Sequence, residues 1–283
     1  MPRFRVGQIL VSLVLLAATL FGQAPSAIPQ TTSFNQQWLD TVVSIEVANP
    51  KNEMEPIGTG FLVRTANKHI LLVTAKHVLQ SPIQVGSRIA YRLNTLAGGS
   101  AIVWDDDLSK GLGGWFLSSA SDLACRFIAW PNSAKLVTLT RDNFIADGAL
   151  SAGAPVLVLG FPLGLRSAEH PRPIARHGIV GRVDRDNVLA DAFVFPGNSG
   201  GPVIYSPYLK VGQGLNSPLL NEEKLIGVVS SFIPYRETAV SQQTQRPRVV
   251  FEENSGLSNV VPVSMLVELL ELDSVKKMDE AIQ

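Results

Sequence analysis

The sequence predicts an all-β fold, a sandwich or a barrel, for most of the chain. Short apolar runs recur along it, turn residues such as Gly, Pro and Asn separate the runs, and helical periodicity is nearly absent before the C-terminus. One helix is predicted just after Pro262, where Leu and Val follow a helical stripe over residues 263–272. The predicted strands lie in the runs at residues 41–47, 60–63, 69–74, 123–130, 155–160, 179–183, 188–195 and 225–232.

The composition fits one large globular domain or two small ones. The 283 residues are 46% hydrophobic and 17% charged, so the chain can bury a large core. Its formal net charge is zero, which gives no reason to expect a nucleic-acid partner. The only cysteine, Cys125, lies in a strand-like run and is expected to be a small buried residue and not a nucleophile.

The first 24 residues have the pattern of an export signal. Arg3 and Arg5 precede an apolar stretch at residues 9–21, and residues with small side chains follow it. That stretch is shorter than the roughly 20 residues that span a bilayer. We therefore expect a cleaved signal, a secreted or periplasmic protein and no membrane contact beyond this segment, with a retained anchor as the alternative.

Residues 25–37 are polar and contain proline, which predicts a flexible lead-in. Residues 38–283 are expected to form the folded domain, with a boundary between two halves near residues 135–150. Polar stretches at residues 206–224 and 234–255 are predicted to be surface loops. The acidic run at residues 105–107 departs from the calcium-loop pattern and is predicted to be a solvated loop, so neither a metal nor a cofactor is expected.

The octet PGNSGGPV at residues 196–203 surrounds Ser199 with glycines, which favour unusual backbone conformations. It predicts either a tight turn before a strand or a nucleophile whose neighbouring N–H groups hold an oxyanion. All four histidines precede Ser199, so the serine–acid–histidine order of the α/β-hydrolases is excluded. The order histidine, aspartate, serine is available instead.

His77 is the candidate base, because an apolar run at residues 70–73 leads to it and a barrel presents side chains to a cleft at strand ends. Asp122 is the candidate acid, because it directly precedes the strand-like run at residues 123–130; the alternative is that it only caps that strand. His69, His170 and His177 lack such a context and are expected to be structural.

The chain resembles the trypsin-like serine proteases of the chymotrypsin fold, and in its motifs the protease domain of the bacterial HtrA/Deg family. The resemblance implies two antiparallel six-stranded barrels with the cleft between them and a C-terminal helix. The matching motifs, in family order, are GTGFLV (58–63), VTAKHV (73–78), SDLA (121–124), PVLVLGFPLGL (155–165), HGIVG (177–181), DAFVFPGNSGGPV (191–203) and LIGVVSSF (225–232).

The resemblance also implies a serine endopeptidase that cleaves polypeptides through an acyl-enzyme. Ser199 would attack the peptide carbonyl, His77 would transfer the proton and Asp122 would orient the imidazole. The N–H groups of Gly197 and Ser199 would form the oxyanion hole.

The sequence departs from the family pattern at two positions, and each departure leads to a further expectation about activity. Asn198 stands where proteases activated by a newly cut N-terminus have an aspartate, so we expect activity to need no cut beyond signal removal. Phe193, six residues before the serine, replaces an acid at the base of the specificity pocket, so an apolar side chain is expected before the scissile bond. The other residues expected to line this pocket are Val194, Phe195, Val229, Ser230 and Ser231.

Residues 230–232 are expected to offer an edge strand to an extended substrate. Only 11 residues follow Leu272, so no PDZ module is expected, and the sequence predicts no oligomeric state. Two other functions stay open at this point. One is a peptide-binding or chaperone protein with a silent triad, and the other is an esterase-like acyl hydrolase with the same triad.

Overall fold

The computed structural model describes residues 34–84, 86–166, 171–207 and 222–282. The predicted export signal, most of the predicted lead-in and His170 lie outside the described residues. Within these ranges the strands are β1 (Val42–Ala48), β2 (Met54–Arg64), β3 (Ile70–Thr74), β4 (Ile89–Asn94), β5 (Ser100–Trp104), β6 (Phe116–Leu117), β7 (Ala124–Ile128), β8 (Pro155–Gly160), β9 (Ile174–Val183), β10 (Val188–Asp191), β11 (Pro202–Tyr205), β12 (Lys224–Val240) and β13 (Pro247–Pro262). The helices are α1 (Gln37–Asp40), α2 (Lys76–Gln84), α3 (Asp105–Leu108), α4 (Val263–Leu270) and α5 (Asp273–Ala281), with 3₁₀ turns at Arg141–Asn143 and Pro162–Gly164.

Strands β1 to β7 form one antiparallel sheet in the order β5-β4-β1-β2-β3-β7-β6. The central strands β2 and β3 bury both of their faces. Phe61 and Val63 belong to a core cluster that extends into the C-terminal half, whereas Leu62, between them, belongs to a second cluster on the opposite face. This alternation follows from the two-residue repeat of a strand, and it explains why the sequence shows continuous apolar runs here.

Strands β8 to β13 form a closed six-stranded barrel in the order β10-β13-β12-β11-β8-β9. Its interior is filled by small branched side chains such as Val158, Val203 and Val228, which join the same core cluster as Phe61 of the N-terminal sheet. The predicted all-β fold is therefore confirmed, and this half of the chain forms the expected six-stranded barrel.

The N-terminal half differs from the expected six-stranded barrel, because it forms a seven-stranded sheet. Between β5 and β6 the chain forms the short helix α3, held by Asp105, which accepts hydrogen bonds from Tyr91 and Arg126. Burial raises the pKa of the Asp105 carboxyl. The prediction of a solvated acidic loop is thus wrong for Asp105, whose side chain is anchored inside, although Asp106 and Asp107 are exposed.

Residues 234–255 also differ from the prediction of a surface loop. They extend β12 and β13 beyond the barrel as a two-stranded antiparallel ribbon, in which Tyr235 pairs with Glu253 and Ala239 with Val249. The polar composition resembled a loop because both faces of the ribbon are exposed, so no apolar alternation marks its strands. Of the other predicted loop, residues 208–221 lie outside the described ranges.

The predicted C-terminal helix is present as α4, and a second helix, α5, follows it. Asp279 of α5 accepts hydrogen bonds from Thr65 and Asn67 and lies 2.8 Å from His69 Nδ1, so α5 is held against the turn between β2 and β3. No helix among the described residues is long and apolar enough to cross a bilayer.

Candidate active site

His77 and Asp122 form a hydrogen-bonded pair at one end of the N-terminal sheet. Nδ1 of His77 lies 2.7 Å from Oδ2 of Asp122, and the backbone N–H of His77 donates to Oδ1 over 3.0 Å. The pairing of β3 with β7 brings these residues together, because Thr74 at the end of β3 lies opposite Ala124 at the start of β7. His77 itself lies in the first turn of α2, just beyond the strand end that the sequence indicated.

The Asp122 carboxyl is held in its ionised form. Burial opposes ionisation and alone would raise its pKa. Hydrogen bonds from His77 and from the Ser230 hydroxyl, whose Oγ lies 2.7 Å from Oδ2, outweigh burial and hold the pKa of Asp122 below its ordinary value of 3.8. An ionised carboxylate only accepts hydrogen bonds, so Nδ1 of His77 carries a proton, and Nε2 keeps its lone pair in the neutral ring.

Ser199 reaches the same place from the barrel. Its Oγ donates to the carbonyl oxygen of Ser230 over 3.2 Å, and Ser230 in turn donates to Asp122 through its own hydroxyl. His77, Ser199 and Ser230 line one cavity of about 410 Å³. The structure thus brings the three predicted catalytic side chains to one cleft. Among the described residues, the hydroxyl of Ser199 is bonded to Ser230 and not to His77.

Thr59, the central residue of the GTG motif in β2, fixes the turn that carries Ser199. Its backbone N–H donates to the Ser199 carbonyl over 2.9 Å, and its hydroxyl donates to the Gly197 carbonyl over 2.6 Å. The same hydroxyl accepts the N–H of Phe161 at 3.2 Å. Thr59 is fully buried, so these bonds form a solvent-shielded contact between the sheet and the barrel that sets where Ser199 lies.

The backbone at Gly197 has the geometry of a turn that only glycine accepts without strain. Its φ is +97°, and a Cβ there would lie 2.2 Å from the carbonyl oxygen of Phe161. The Pro196 carbonyl accepts the N–H of Leu163 over 2.7 Å. Because the peptide is trans, the Gly197 N–H points away from Leu163.

The N–H groups of Gly197 and Ser199 have no acceptor in the part of the chain that the structure describes. Both residues line the same cavity as His77. A buried or half-buried N–H is rarely left unpaired, so these two, in residues that line one cavity, are candidates to bind an anionic oxygen.

Four of the six predicted pocket residues line this cavity, namely Val194, Phe195, Ser230 and Ser231. The other two lie elsewhere. Phe193 is 48% exposed and stacks on Phe195, with ring centroids 6.5 Å apart, and Val229 is buried in the barrel core. Burial alternates along residues 192–195, where Ala192 and Val194 are buried, Phe193 is exposed and Phe195 is half-buried.

Asn198 is fully buried directly before Ser199. Its Oδ1 accepts the N–H of Phe195 over 3.0 Å, which closes the turn without an ion pair. Its Nδ2 is buried and has no partner among the described residues.

The other candidate groups lie away from the cleft or are inert. His69 is held by Asp279, and His177 is an exposed residue of β9. Cys125 is buried, and burial raises the pKa of its thiol to about 12, which keeps it protonated. The described ranges contain no cluster of three or more metal-ligating side chains.

Sequence reasoning missed three groups that support the site. These are the Thr59 hydroxyl, the Ser230 hydroxyl on Asp122, and Lys76, whose Nζ donates to the carbonyls of Ser118 and Ser121 beside Asp122. Thr59 lies in the GTG motif and Lys76 in the TAKH motif, so the resemblance of these motifs to the family could have indicated both groups.

A known protein family matches the part of the chain that contains the candidate site. The model of a family described as trypsin-like peptidase domain matches residues 58–207, which include His77, Asp122 and Ser199. The chain has no match among curated proteins. The solved structure of human heparin binding protein is similar over 84% of this chain and 92% of that one, with 13% identity and a TM-score of 0.49. The family match extends over more than half of the chain, which therefore belongs to the trypsin-like peptidase family.

Proposed function

We propose that this trypsin-like peptidase is a secreted serine endopeptidase that acts through Ser199, His77 and Asp122. The observation that supports this most is the hydrogen-bonded pair of His77 and Asp122 in a cleft whose cavity is lined by both His77 and Ser199. Secretion rests on the export-signal pattern of the first 24 residues.

In the proposed reaction, the Ser199 hydroxyl rotates from the Ser230 carbonyl to Nε2 of His77. The imidazole accepts the proton as Oγ bonds to the carbonyl carbon of the scissile peptide. Asp122 stabilises the imidazolium through the Nδ1–H bond. His77 then gives the proton to the amine as the peptide bond breaks. Water next attacks the acyl-enzyme while His77 accepts its proton, and His77 returns that proton to Oγ of Ser199 as the acid product leaves.

The tetrahedral intermediate carries an oxyanion that needs donors already in position. The N–H groups of Gly197 and Ser199 are proposed to donate to it, because neither has an acceptor among the described residues and both residues line the same cavity. One such donor contributes about 3–4 kcal/mol to transition-state stabilisation.

The side chain before the scissile bond is proposed to enter the 410 Å³ cavity. Val194, Phe195 and Phe232 give its walls an apolar character, and no carboxylate lines it among the described residues. An Arg or Lys side chain would therefore lose hydration without gaining an ion pair, so a small or medium apolar residue is favoured.

A second candidate is a peptide-binding or chaperone protein that keeps the fold but does not cleave. It is favoured by one observation, the Ser199 hydroxyl that is bonded to Ser230 in place of His77. In this alternative the hydroxyl stays with Ser230 when a peptide is bound.

Cleavage of unfolded casein by the wild-type protein and by Ser199→Ala distinguishes the two. The endopeptidase proposal expects new peptide ends with the wild type and none with Ser199→Ala. Equal binding of casein by both proteins without any cleavage would support the second candidate. Turnover of short-chain esters with no casein cleavage would instead indicate an acyl hydrolase with the same triad.

A further inference from the structure

The 3₁₀ turn that follows β8 is hydrogen-bonded to the turn of the candidate nucleophile. The Leu163 N–H donates to the Pro196 carbonyl over 2.7 Å, and this carbonyl belongs to the same peptide group as the Gly197 N–H. A trans peptide places the two groups on opposite sides, so holding the carbonyl also fixes the direction of the N–H. The position of Leu163 therefore controls the orientation of one proposed oxyanion donor.

The side chains of this turn do not hold it in place. Leu163 has φ at +55° and Gly164 at +69°, so two successive residues are left-handed, a conformation that is strained for leucine. The side chains of Leu163 and Leu165 are 63% and 55% exposed, so their burial does not offset the strain. Strained residues of this kind persist where surrounding contacts fix them. Phe161 and Pro162 are buried and fix the start of the turn, and its end needs a contact of its own.

Arg166 supplies that contact by joining the end of the turn to the N-terminal sheet. Its Nη2 donates to the carbonyl of Met54 in β2 over 3.2 Å, and its Nε lies 3.4 Å from Oε1 of Glu46 in β1. Glu46 is fully buried and accepts two further hydrogen bonds from Arg92, at 2.8 and 2.9 Å, so its carboxylate is firmly held. The turn is thus anchored to the barrel at one end and to the sheet at the other.

The anchored turn lies beside the candidate site. Leu163 lines a cavity of about 700 Å³ together with His77 and Gly197. Val47, which follows Glu46 in β1, lines the same cavity. The strand that carries the anchor and the turn that carries the donor therefore border one space next to the cleft.

We propose that Arg166 is a positioning residue for the Gly197 oxyanion donor. Its ion pair with Glu46 keeps the 3₁₀ turn in place. The turn in turn keeps the Leu163 N–H on the Pro196 carbonyl and the Gly197 N–H in its direction. The inference rests on the proposed endopeptidase function, and it adds a residue that acts through the turn without touching the substrate.

The proposal also gives a physical reason why activity should need no cut at the N-terminus of the folded domain. Asn198 carries no charge, so a newly formed ammonium group would find no ion-pair partner there. The pair of Arg166 and Glu46 consists of two residues inside the folded domain and forms without any cleavage.

The test replaces Arg166 by methionine, which has a long side chain but makes neither polar contact. Arg92 still binds Glu46 in this variant, so no buried carboxylate is left unpaired and the fold should persist. Arg64→Met is the matched control. Arg64 is also partly buried and donates from Nε to the Thr138 hydroxyl over 3.1 Å, but it lines neither of the two cavities described beside His77.

The kinetic measurement uses a fluorogenic peptide built on a cleavage site mapped in casein. Arg166→Met should lower kcat at least about tenfold with KM unchanged, because an oxyanion donor acts in the transition state. Arg166→Lys should recover part of this loss, because it keeps a cation beside Glu46, and Arg64→Met should stay within about twofold of the wild type. An equal fall of kcat in Arg166→Met and Arg64→Met would indicate a general structural role and overturn the proposal. A rise in KM with unchanged kcat would mean that Arg166 contacts the substrate, and would also overturn it.

Amide hydrogen exchange tests the anchor without catalysis. The exchange of the Leu163 N–H, followed by NMR, should be at least about tenfold faster in Arg166→Met than in the wild type, and unchanged in Arg64→Met. Unchanged exchange in Arg166→Met would contradict the proposal whether or not the protein is active. A wild type that cleaves no peptide would refute the endopeptidase function instead, and the exchange rates would still show whether Arg166 holds the turn.

Discussion

Replacement of Gly197 by alanine perturbs the proposed oxyanion hole at the backbone. The new Cβ would lie 2.2 Å from the Phe161 carbonyl oxygen, where an ordinary van der Waals contact is 3.4–4 Å. The turn must therefore retreat by about 1 Å from Phe161. Gly197 also has φ at +97°, a conformation that alanine adopts only with strain.

Both effects can be given a magnitude. The left-handed conformation costs alanine about 1–2 kcal/mol. Overpacking against a backbone carbonyl costs about 1–3 kcal/mol, so Gly197→Ala should lower the free energy of unfolding by about 2–5 kcal/mol. A displacement of about 1 Å at an oxyanion donor should lower kcat about 100-fold or more.

Gly153→Ala is the matched control. Gly153 has φ at +84°, and a Cβ there would meet no atom within 4 Å, so this variant isolates the conformational cost. We expect a loss of about 1–2 kcal/mol in unfolding free energy and an unchanged kcat. Urea unfolding gives the stabilities, and cleavage of a fluorogenic peptide under conditions in which each variant is folded gives the rates.

Two results would contradict the proposed role of Gly197. One is a Gly197→Ala enzyme whose kcat/KM stays within about threefold of that of Gly153→Ala, which would mean that the Gly197 N–H does not serve the transition state. The other is an equal loss of stability in the two variants, which would mean that the contact with Phe161 relaxes without cost.

Three further substitutions test the groups around Ser199. Ser230→Ala removes a hydrogen bond that lowers the pKa of Asp122. The ionised carboxylate stabilises the fold above pH 3.8, its ordinary pKa, and this stability is lost as the pH falls through the lower pKa of the folded protein. In Ser230→Ala this stabilisation should be smaller and should disappear at a higher pH in acid unfolding. Thr59→Val should lower stability by about 1–3 kcal/mol and reduce kcat, because the Gly197 carbonyl loses its donor, whereas Thr59→Ser should restore most of both; equal rates for the Val and Ser variants would contradict the assigned role. Asn198→Asp buries a carboxylate with no cation among the described residues, so stability should fall by several kcal/mol at neutral pH and recover on acidification; a variant as stable as the wild type in urea at pH 7 would show that the site accepts charge.

The sequence identified the parts of the site that short motifs encode. His77, Asp122 and Ser199 each lie beside a strand end or in a glycine turn, and both features are local. The Ser230 hydroxyl on Asp122 was missed because the two residues are 108 positions apart, and only the closure of the fold brings them together. Phe193 was assigned to the pocket by counting back from the serine, and that count gives no information on how its ring packs against Phe195 outside the cavity lining.

The larger architectural differences have equally specific causes. The N-terminal half was expected to form a six-stranded barrel and forms a seven-stranded sheet, and the acidic run gave no sign that Asp105 would turn inward to bond Tyr91 and Arg126. The ribbon was missed because it is stabilised by pairing of β12 with β13 and not by burial. Sequence patterns report burial, so an exposed ribbon leaves almost no pattern.

In the proposed reaction, His77 and Asp122 activate the Ser199 hydroxyl. A fluorophosphonate probe measures this directly, because it forms a covalent bond only with an activated serine. We expect mass spectrometry of the labelled wild type to find the probe on Ser199, and we expect labelling to be abolished in Ser199→Ala and strongly slowed in His77→Ala. A folded wild-type protein that stays unlabelled, or one that is labelled as fast after His77→Ala, would contradict it.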